Sequence, residues 1–85
     1  MNINYYKTLW FQAHIGEPDE CGEYECIEDE LGTFATENEI LEAYDESNGD
    51  IQKLMTAIFK KNNIDDVYDI YVQDNDGKVL LDTTD

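Results

Sequence analysis

Apolar and polar residues alternate most regularly near the start of the chain. From Tyr5 to Ile15 the residues are β-branched, aromatic or apolar at alternating positions, which predicts a long strand. The residues expected to face the core are Tyr5, Leu9, Phe11, Ala13 and Ile15. Trp10 would then lie on the opposite, partly exposed face.

A second strand is predicted from Gly22 to Ile27. Tyr24 and Cys26 would lie on one of its faces, and the other would hold Glu23, Glu25 and Ile27. Adjacent carboxylates disfavour the interior of a sheet, and charges protect an exposed strand from pairing with other chains. This strand is therefore expected at the edge of the sheet.

After the second predicted strand, the spacing of the apolar residues changes to that of a helix. Thr36 and Glu39 fit a capping box, in which each side chain accepts from the other residue's backbone N–H. Asn48-Gly49 predicts the end of this helix, since both residues accept the left-handed conformation. The expected buried stripe is Ile40, Leu41 and Tyr44.

A second helix is predicted from Ile51 to Lys61, with Asp50 as its N-cap. Its apolar residues recur at the helical spacings i, i+3, i+4, i+7 and i+8. They are Ile51, Leu54, Met55, Ile58 and Phe59.

Two strands are predicted to follow, from Val67 to Gln73 and from Lys78 to Asp82, joined by a two-residue turn at Asp76-Gly77. The element order is β-(β)-α-α-β-β. It predicts a single α+β domain over residues 1–85, in which two helices pack on one face of an antiparallel sheet of three to four strands.

The charge of the chain gives information about function that the hydrophobic pattern does not give. The net charge is -16, from 21 acidic and 5 basic residues. Residues 17–50 contain no Lys, Arg or His, but they contain fourteen carboxylates: Glu17, Asp19, Glu20, Glu23, Glu25, Glu28, Asp29, Glu30, Glu37, Glu39, Glu42, Asp45, Glu46 and Asp50. A net charge of about 2–8 suffices to keep a small domain soluble.

This charge excludes direct binding to nucleic acid or to an anionic membrane, and it favours a basic protein partner. No basic leader and no long apolar run appear near the start, so the cytoplasm is the expected location. Cys21 and Cys26 would be reduced there.

Candidate chemistry is sparse. His14 is the only histidine and Ser47 the only serine, and nothing in their spacing indicates a catalytic pair. The Asp-Gly and Asn-Gly turns do not align with a calcium-binding loop, because Val72 and Tyr44 would occupy its first ligand position. We therefore expect a protein that is not an enzyme and that has no metal site and no cofactor.

The acidic stretch, residues 17–50, has three interpretations. It is a solvated face, a surface that docks a basic protein, or a mimic of nucleic acid. A domain of this length has a radius of gyration of roughly 12 Å and is about 30 Å across. That length of B-DNA has on the order of 18 phosphate charges. The net charge of the chain is of the same size.

In its size, its acidity, its lack of arginine and its expected fold, the chain resembles the small phage-encoded inhibitors that mimic DNA. These include anti-restriction, anti-CRISPR and uracil-DNA glycosylase inhibitor proteins. Residues 43–47 (AYDES) and 72–77 (VQDNDG) are similar to segments of the glycosylase inhibitor. The resemblance implies competitive occlusion of a DNA-binding cleft, without catalysis, in the cytoplasm of the host.

The predicted function is therefore inhibition of a host defence protein, such as a restriction or CRISPR nuclease, by occupying its nucleic-acid site. The alternatives are an immunity-type adaptor that docks a basic protein without mimicking DNA, and an inhibitor of a repair glycosylase. The protein would act as a monomer or homodimer. The predicted partner-binding residues are Glu17, Asp19, Glu20, Glu23, Glu25, Glu28, Asp29, Glu30, Glu42, Asp45 and Glu46, with Tyr24 and Trp10 as apolar anchors.

Overall fold

A four-stranded antiparallel sheet organises the chain in the computed structural model, which describes residues 3–83. The strand order is β2-β1-β3-β4, and the helices lie on one face of the sheet. This confirms the predicted α+β class and the position of β2 at an edge, with four helices in residues 3–83 where two were predicted. The elements are α1 (Ile3–Lys7), β1 (Trp10–Ile15), β2 (Glu25–Glu30), α2 (Leu31–Phe34), α3 (Glu37–Ser47), α4 (Ile51–Lys61), β3 (Val67–Gln73) and β4 (Val79–Asp82).

The predicted capping box begins α3. The Glu39 backbone N–H donates to Thr36 Oγ1 at 3.2 Å, and the Thr36 backbone N–H donates to Glu39 Oε1 at 2.9 Å. The helix ends where Asn48 takes the left-handed conformation, with φ of 55°. Both predicted ends are confirmed, because each depends on contacts within a few residues.

The buried face of α3 differs in part from the prediction. Ile40, Ala43 and Ser47 are buried, whereas Leu41 is 39% exposed. Residues 40, 43 and 47 recur at the spacing of one helix face, and Leu41 lies about 100° around the helix from Ile40. The prediction for Leu41 is therefore wrong.

Helix α4 agrees with its prediction in both its bounds and its cap. Asp50 Oδ1 accepts a hydrogen bond from the Lys53 backbone N–H at 3.1 Å. Its buried residues are Leu54, Met55, Ile58 and Phe59. They pack against the face of the sheet that holds Phe11 and Val72.

Three phenylalanine rings join the sheet to the helices. The Phe11 ring lies 5.0 Å from Phe34 and 5.5 Å from Phe59, and the Phe34 and Phe59 rings are 5.9 Å apart. All three pairs have edge-to-face geometry, the arrangement that aromatic rings prefer. Strand β1, helix α2 and helix α4 are thereby held together at one point.

The predicted strand over Tyr5–Ile15 is wrong in its first half. Residues 3–7 form α1, and Thr8 and Leu9 turn the chain into the sheet by donating backbone N–H bonds to the Tyr5 and Tyr6 carbonyls. The Tyr6 ring packs at 5.3 Å against Tyr44 of α3. This long-range contact overrides the β-propensity of the tyrosines.

The predicted second strand is displaced along the chain. It runs over Glu25–Glu30 and not over Gly22–Ile27. Gly22 has a φ of 81°, a conformation used in turns and not in strands. The predicted alternation nevertheless holds within the strand: Ile27 is half-buried, whereas Cys26 lies on the opposite face and is exposed.

Strand β3 has its predicted bounds, but its turn into β4 is longer than two residues. The Asp74 N–H donates to the Lys78 carbonyl at 2.9 Å, so Asn75, Asp76 and Gly77 form the loop. Asp74 Oδ1 accepts from the backbone N–H groups of Asp76 and Lys78, both at 2.9 Å. This turn begins one residue earlier than the Asp-Gly pair indicates.

Candidate partner-binding surface

Strand β2 and the loop before it contain carboxylates but no lysine. Strand β2 lies at one edge of the sheet, whereas α4 packs on Phe11 of the neighbouring strand β1 and also contacts β4 at the other edge. Helix α4 contains Lys53, Lys60 and Lys61, three of the 5 lysines in the chain. The carboxylates of β2 and of the loop before it form no ion pair among residues 3–83, although Lys7 lies against Gly32, two residues after the end of β2.

The β1–β2 hairpin presents Glu17, Asp19, Glu20 and Glu23, all of them exposed. Asp19 has a role in the turn itself, since its Oδ1 accepts from the backbone N–H groups of Cys21 at 2.9 Å and Glu23 at 3.0 Å. The Asp19 N–H donates to the Glu23 carbonyl, and the Gly22 N–H donates to the Asp19 carbonyl.

The same hydrogen bonds form in the β3–β4 turn. The two turns share the sequence pattern Asp-x-x-Gly, at residues 19–22 and 74–77, and Gly22 and Gly77 have similar φ values of 81° and 84°. The pattern was present in the sequence, and it is the signal that would have identified Asp19 as a turn residue. Asp19 is a weaker candidate for binding than its hairpin neighbours.

Replacing Asp19 by alanine should lower the free energy of unfolding by about 1–2 kcal/mol, because two backbone N–H groups lose their acceptor. Glu20→Ala removes the same charge from a side chain that makes no hydrogen bond in the described residues, and it should change stability by no more than about 0.5 kcal/mol. Urea denaturation followed by circular dichroism measures both. Equal losses in the two variants would show that Asp19 acts only through its charge.

Strand β2 presents carboxylates on both of its faces. Glu25 and Asp29 share a face with Ile27, while Glu28 and Glu30 lie on the other. Asp29 Oδ1 accepts a hydrogen bond from the Glu30 backbone N–H at 2.8 Å. Glu25, Glu28 and Glu30 are exposed and are the carboxylates of this strand most accessible to a partner.

The predicted carboxylates of α3 are partly neutralised. Lys61 Nζ lies 3.3 Å from Glu42 Oε2 and 3.2 Å from Glu46 Oε1. The hydrogen bond to Glu46 is the main cause that raises the pKa of Lys61 above its usual value. Asp45 is exposed on the same helix. Glu42 and Glu46 therefore offer less free charge to a partner than β2 does.

The two predicted aromatic anchors lie apart. The Tyr24 ring packs against the Tyr68 ring at the start of β2, with centroids 4.3 Å apart and planes inclined at 39°. Trp10 contacts Tyr71 at 6.1 Å on the sheet face opposite the helices, where it is half-buried. The structure does not bring Tyr24 and Trp10 together, so they would serve different contacts.

His14 lies on that same uncovered face and is held by Asp69. The His14 Nδ1 is 2.7 Å from Asp69 Oδ1, which also accepts from the His14 backbone N–H at 3.2 Å. Cys26 is opposite His14 in the sheet register, but its sulfur accepts a hydrogen bond from Gln12 Nε2 at 3.3 Å. In the described residues no three His, Cys, Asp or Glu side chains are grouped so that they could hold a metal ion.

Two acidic residues beyond residue 50 adjoin the hairpin, and the sequence analysis missed them. Asp65 and Asp66 precede β3, and the Asp66 carbonyl accepts a hydrogen bond from the Gly16 N–H at 2.7 Å. This bond brings Glu17 beside both aspartates, in a groove that all three line. The antiparallel pairing of β1 with β3 would have indicated this contact, but that pairing is not visible in the sequence.

A groove of about 640 Å³ runs along α4 and is lined by Lys53, Lys60 and Lys61 among others. It was also missed, although the spacing of these lysines places them on one side of the helix. Glu46 and Asp50 lie at this groove as well, so its charge is mixed. It is not part of the acidic surface.

Comparisons with protein-family models, with curated protein sequences and with solved structures find no match to this chain. Over residues 3–83, none of the helices has the length and apolar character needed to cross a membrane.

Proposed function

We propose that this protein is an inhibitor that mimics DNA and occupies the nucleic-acid-binding site of a basic host protein. The observation that supports this most is the concentration of carboxylates on β2 and on the adjoining hairpin, none of which forms an ion pair among residues 3–83. Such a surface attracts a cationic cleft and raises the rate of association. Inhibition follows from occlusion, with no chemical step.

The dimensions of the molecule are compatible with this proposal. The principal extents are 43 × 26 × 21 Å. At one charge per ~1.7 Å, a DNA duplex has about 15 phosphates over the middle dimension and about 25 over the longest. The net charge of -16 lies within that range.

The acidic edge alone is less dense than a DNA strand. The six residues of β2 span about 20 Å and include four carboxylates, which is one per about 5 Å. A single strand of B-DNA has one phosphate per ~3.4 Å of axis. Asp65, Asp66 and the hairpin glutamates would supply the remaining charge, so we place the contact at the end of the sheet where these groups meet β2.

The direct test is competition on a captured partner. The full chain is immobilised, basic proteins are captured from a host lysate, and each is then challenged with duplex DNA at several salt concentrations. We expect DNA to release the partner, and we expect the free chain to displace DNA from it with the same salt dependence. Stable ternary complexes of chain, partner and DNA would contradict the proposal.

An acidic adaptor that docks a basic protein away from its DNA site would use the same carboxylates. The ternary complex is the result that this second function predicts. The two functions therefore give opposite outcomes in one experiment.

A further inference from the structure

Tyr24, which is half-buried, and Tyr68, which is exposed, form an aromatic ridge at the end of the sheet. Their rings are inclined at 39° with centroids 4.3 Å apart, and Tyr68 is 60% exposed. Tyr68 is the most exposed of the large hydrophobic residues in the described part of the chain. A tyrosine pair held in this way offers an aromatic surface to a ligand at little cost in side-chain entropy.

A β-bulge places Tyr68 in this position. His14 pairs with Asp69 and Ile15 pairs with Val67, so Tyr68 is the extra residue that has no partner on β1. Bulges often redirect a side chain at the edge of a functional surface. Tyr24 reaches the same place because it directly precedes β2.

The ridge separates two open grooves. The first, of about 410 Å³, is lined by Glu17, Pro18, Asp65 and Asp66 beside the two rings. The second, of about 460 Å³, is lined by His14, Glu23 and Asp69 beside the same rings. Each groove thus has an aromatic wall and at least one free carboxylate.

Most of these carboxylates have no partner in the protein. Asp69 is bonded to His14, but Glu17, Glu23, Asp65 and Asp66 make no ion pair or side-chain hydrogen bond among residues 3–83. No lysine lines either groove. An aromatic face with unpaired carboxylates beside it is the arrangement that binds an organic cation.

We propose that this ridge, with its two grooves, binds arginine side chains of a basic protein partner. A guanidinium is planar, so it stacks on a tyrosine ring while it donates hydrogen bonds to a carboxylate beside it. The compact ammonium of lysine forms the ion pair but does not stack, so arginine is preferred over lysine. Pro18 gives an apolar wall for the aliphatic part of the side chain.

This inference deepens the proposed function by naming the contact and the partner's side chain, and it rests on that function only in taking the partner to be basic. Mimicry of DNA predicts a surface that meets phosphate-binding groups. Arginine is the commonest group for planar recognition of phosphate and carboxylate alike. At the ridge, such an arginine would also stack on a tyrosine ring, a contact that a phosphate does not offer.

The test uses a six-arginine peptide and a six-lysine peptide as probes, titrated into the full chain at about 0.15 M salt. Two-dimensional NMR follows the backbone amides and the tyrosine rings. We expect saturable shifts centred on residues 16–24 and 65–69, with tighter binding of the arginine peptide. Tyr68→Leu should weaken that binding about 2–5-fold, and Tyr68→Phe should retain it, because only the ring is needed.

Tyr5→Leu is the matched control, since Tyr5 is 39% exposed on α1, away from the ridge, and its loss should leave the affinity unchanged. Equal affinity for the two peptides, or equal effects of Tyr68→Leu and Tyr5→Leu, would overturn the inference and indicate unspecific charge attraction. Failure here is distinct from failure of the proposed function. If DNA releases the captured partner but Tyr68→Leu does not weaken the partner's binding, the ridge is refuted and the mimicry is not. If the arginine peptide binds at the ridge but the captured partner keeps its DNA while bound to the chain, the mimicry is refuted and the ridge is not.

Discussion

Phe59→Ala should lower the free energy of unfolding by about 3–5 kcal/mol, the usual cost of removing a fully buried phenylalanine. The Phe59 side chain is fully buried, and its ring contacts both Phe11 and Phe34. The substitution leaves a cavity where β1, α2 and α4 meet. A domain of this size has roughly 4–13 kcal/mol of stability in total, so the variant would be close to unfolding.

Denaturation in urea, followed by circular dichroism, measures this loss. Leu41→Ala is a suitable control, because it also truncates an apolar helical residue but one that is 39% exposed. It should change stability by only about 0.5 kcal/mol. Similar losses in the two variants would mean that α4 does not pack on the sheet as described.

The combined variant Glu25→Gln, Glu28→Gln and Glu30→Gln should bind the captured partner about 10–100-fold more weakly. Each exposed ion pair contributes up to about 1 kcal/mol, and 1.4 kcal/mol corresponds to a tenfold change in affinity. Glutamine keeps the size and polarity of each side chain, so the loss would come from charge. The weakening should shrink as salt is added, since salt screens exposed charges.

The same variant should be more stable than the original protein at low salt. At 0.01 M salt the Debye length of about 30 Å exceeds most dimensions of the molecule, so its carboxylates repel one another over long distances. Removing three negative charges relieves part of that repulsion. Weaker binding together with higher stability would exclude misfolding as the cause.

A second combined variant serves as the charge-matched control. Glu37→Gln, Asp50→Asn and Asp76→Asn change the net charge by the same amount at exposed sites outside β2 and its hairpin, and asparagine at residue 50 still caps α4. We expect a much smaller loss of affinity from this variant. Equal losses would show that the partner responds to net charge and not to the edge strand, and the surface proposed here would be wrong.

Local signals in the sequence were sufficient for the central helices and for β3. The capping box of Thr36 and Glu39 and the Asp50 cap predicted where α3 and α4 begin. Each of these contacts spans three residues, so its chemistry can be identified without knowing the rest of the fold. In β3 the buried residues Ile70 and Val72 alternate with half-buried ones, and this period of two is equally local.

The secondary-structure predictions are wrong where contacts between residues distant in the sequence determine the structure. Residues 3–7 are rich in tyrosine and suggest a strand, yet Tyr6 packs against Tyr44 and the segment is helical. The Asp19 turn displaces β2 by three residues from its predicted start. Hydrogen bonds made by one carboxylate outweighed a weak strand pattern, and only the pairing with β1 determines the register.

The sequence by itself determined that the chain is strongly acidic, where α3 and α4 begin and end, and which of their faces are buried apart from Leu41. It could not determine which carboxylates are neutralised, because the pairing of Lys61 with Glu42 and Glu46 joins two different helices. Nor could it place Asp65 and Asp66 beside Glu17, or Tyr68 beside Tyr24. Those contacts exist because β1 and β3 are neighbours in the sheet, and strand order is a long-range property that periodicity does not encode.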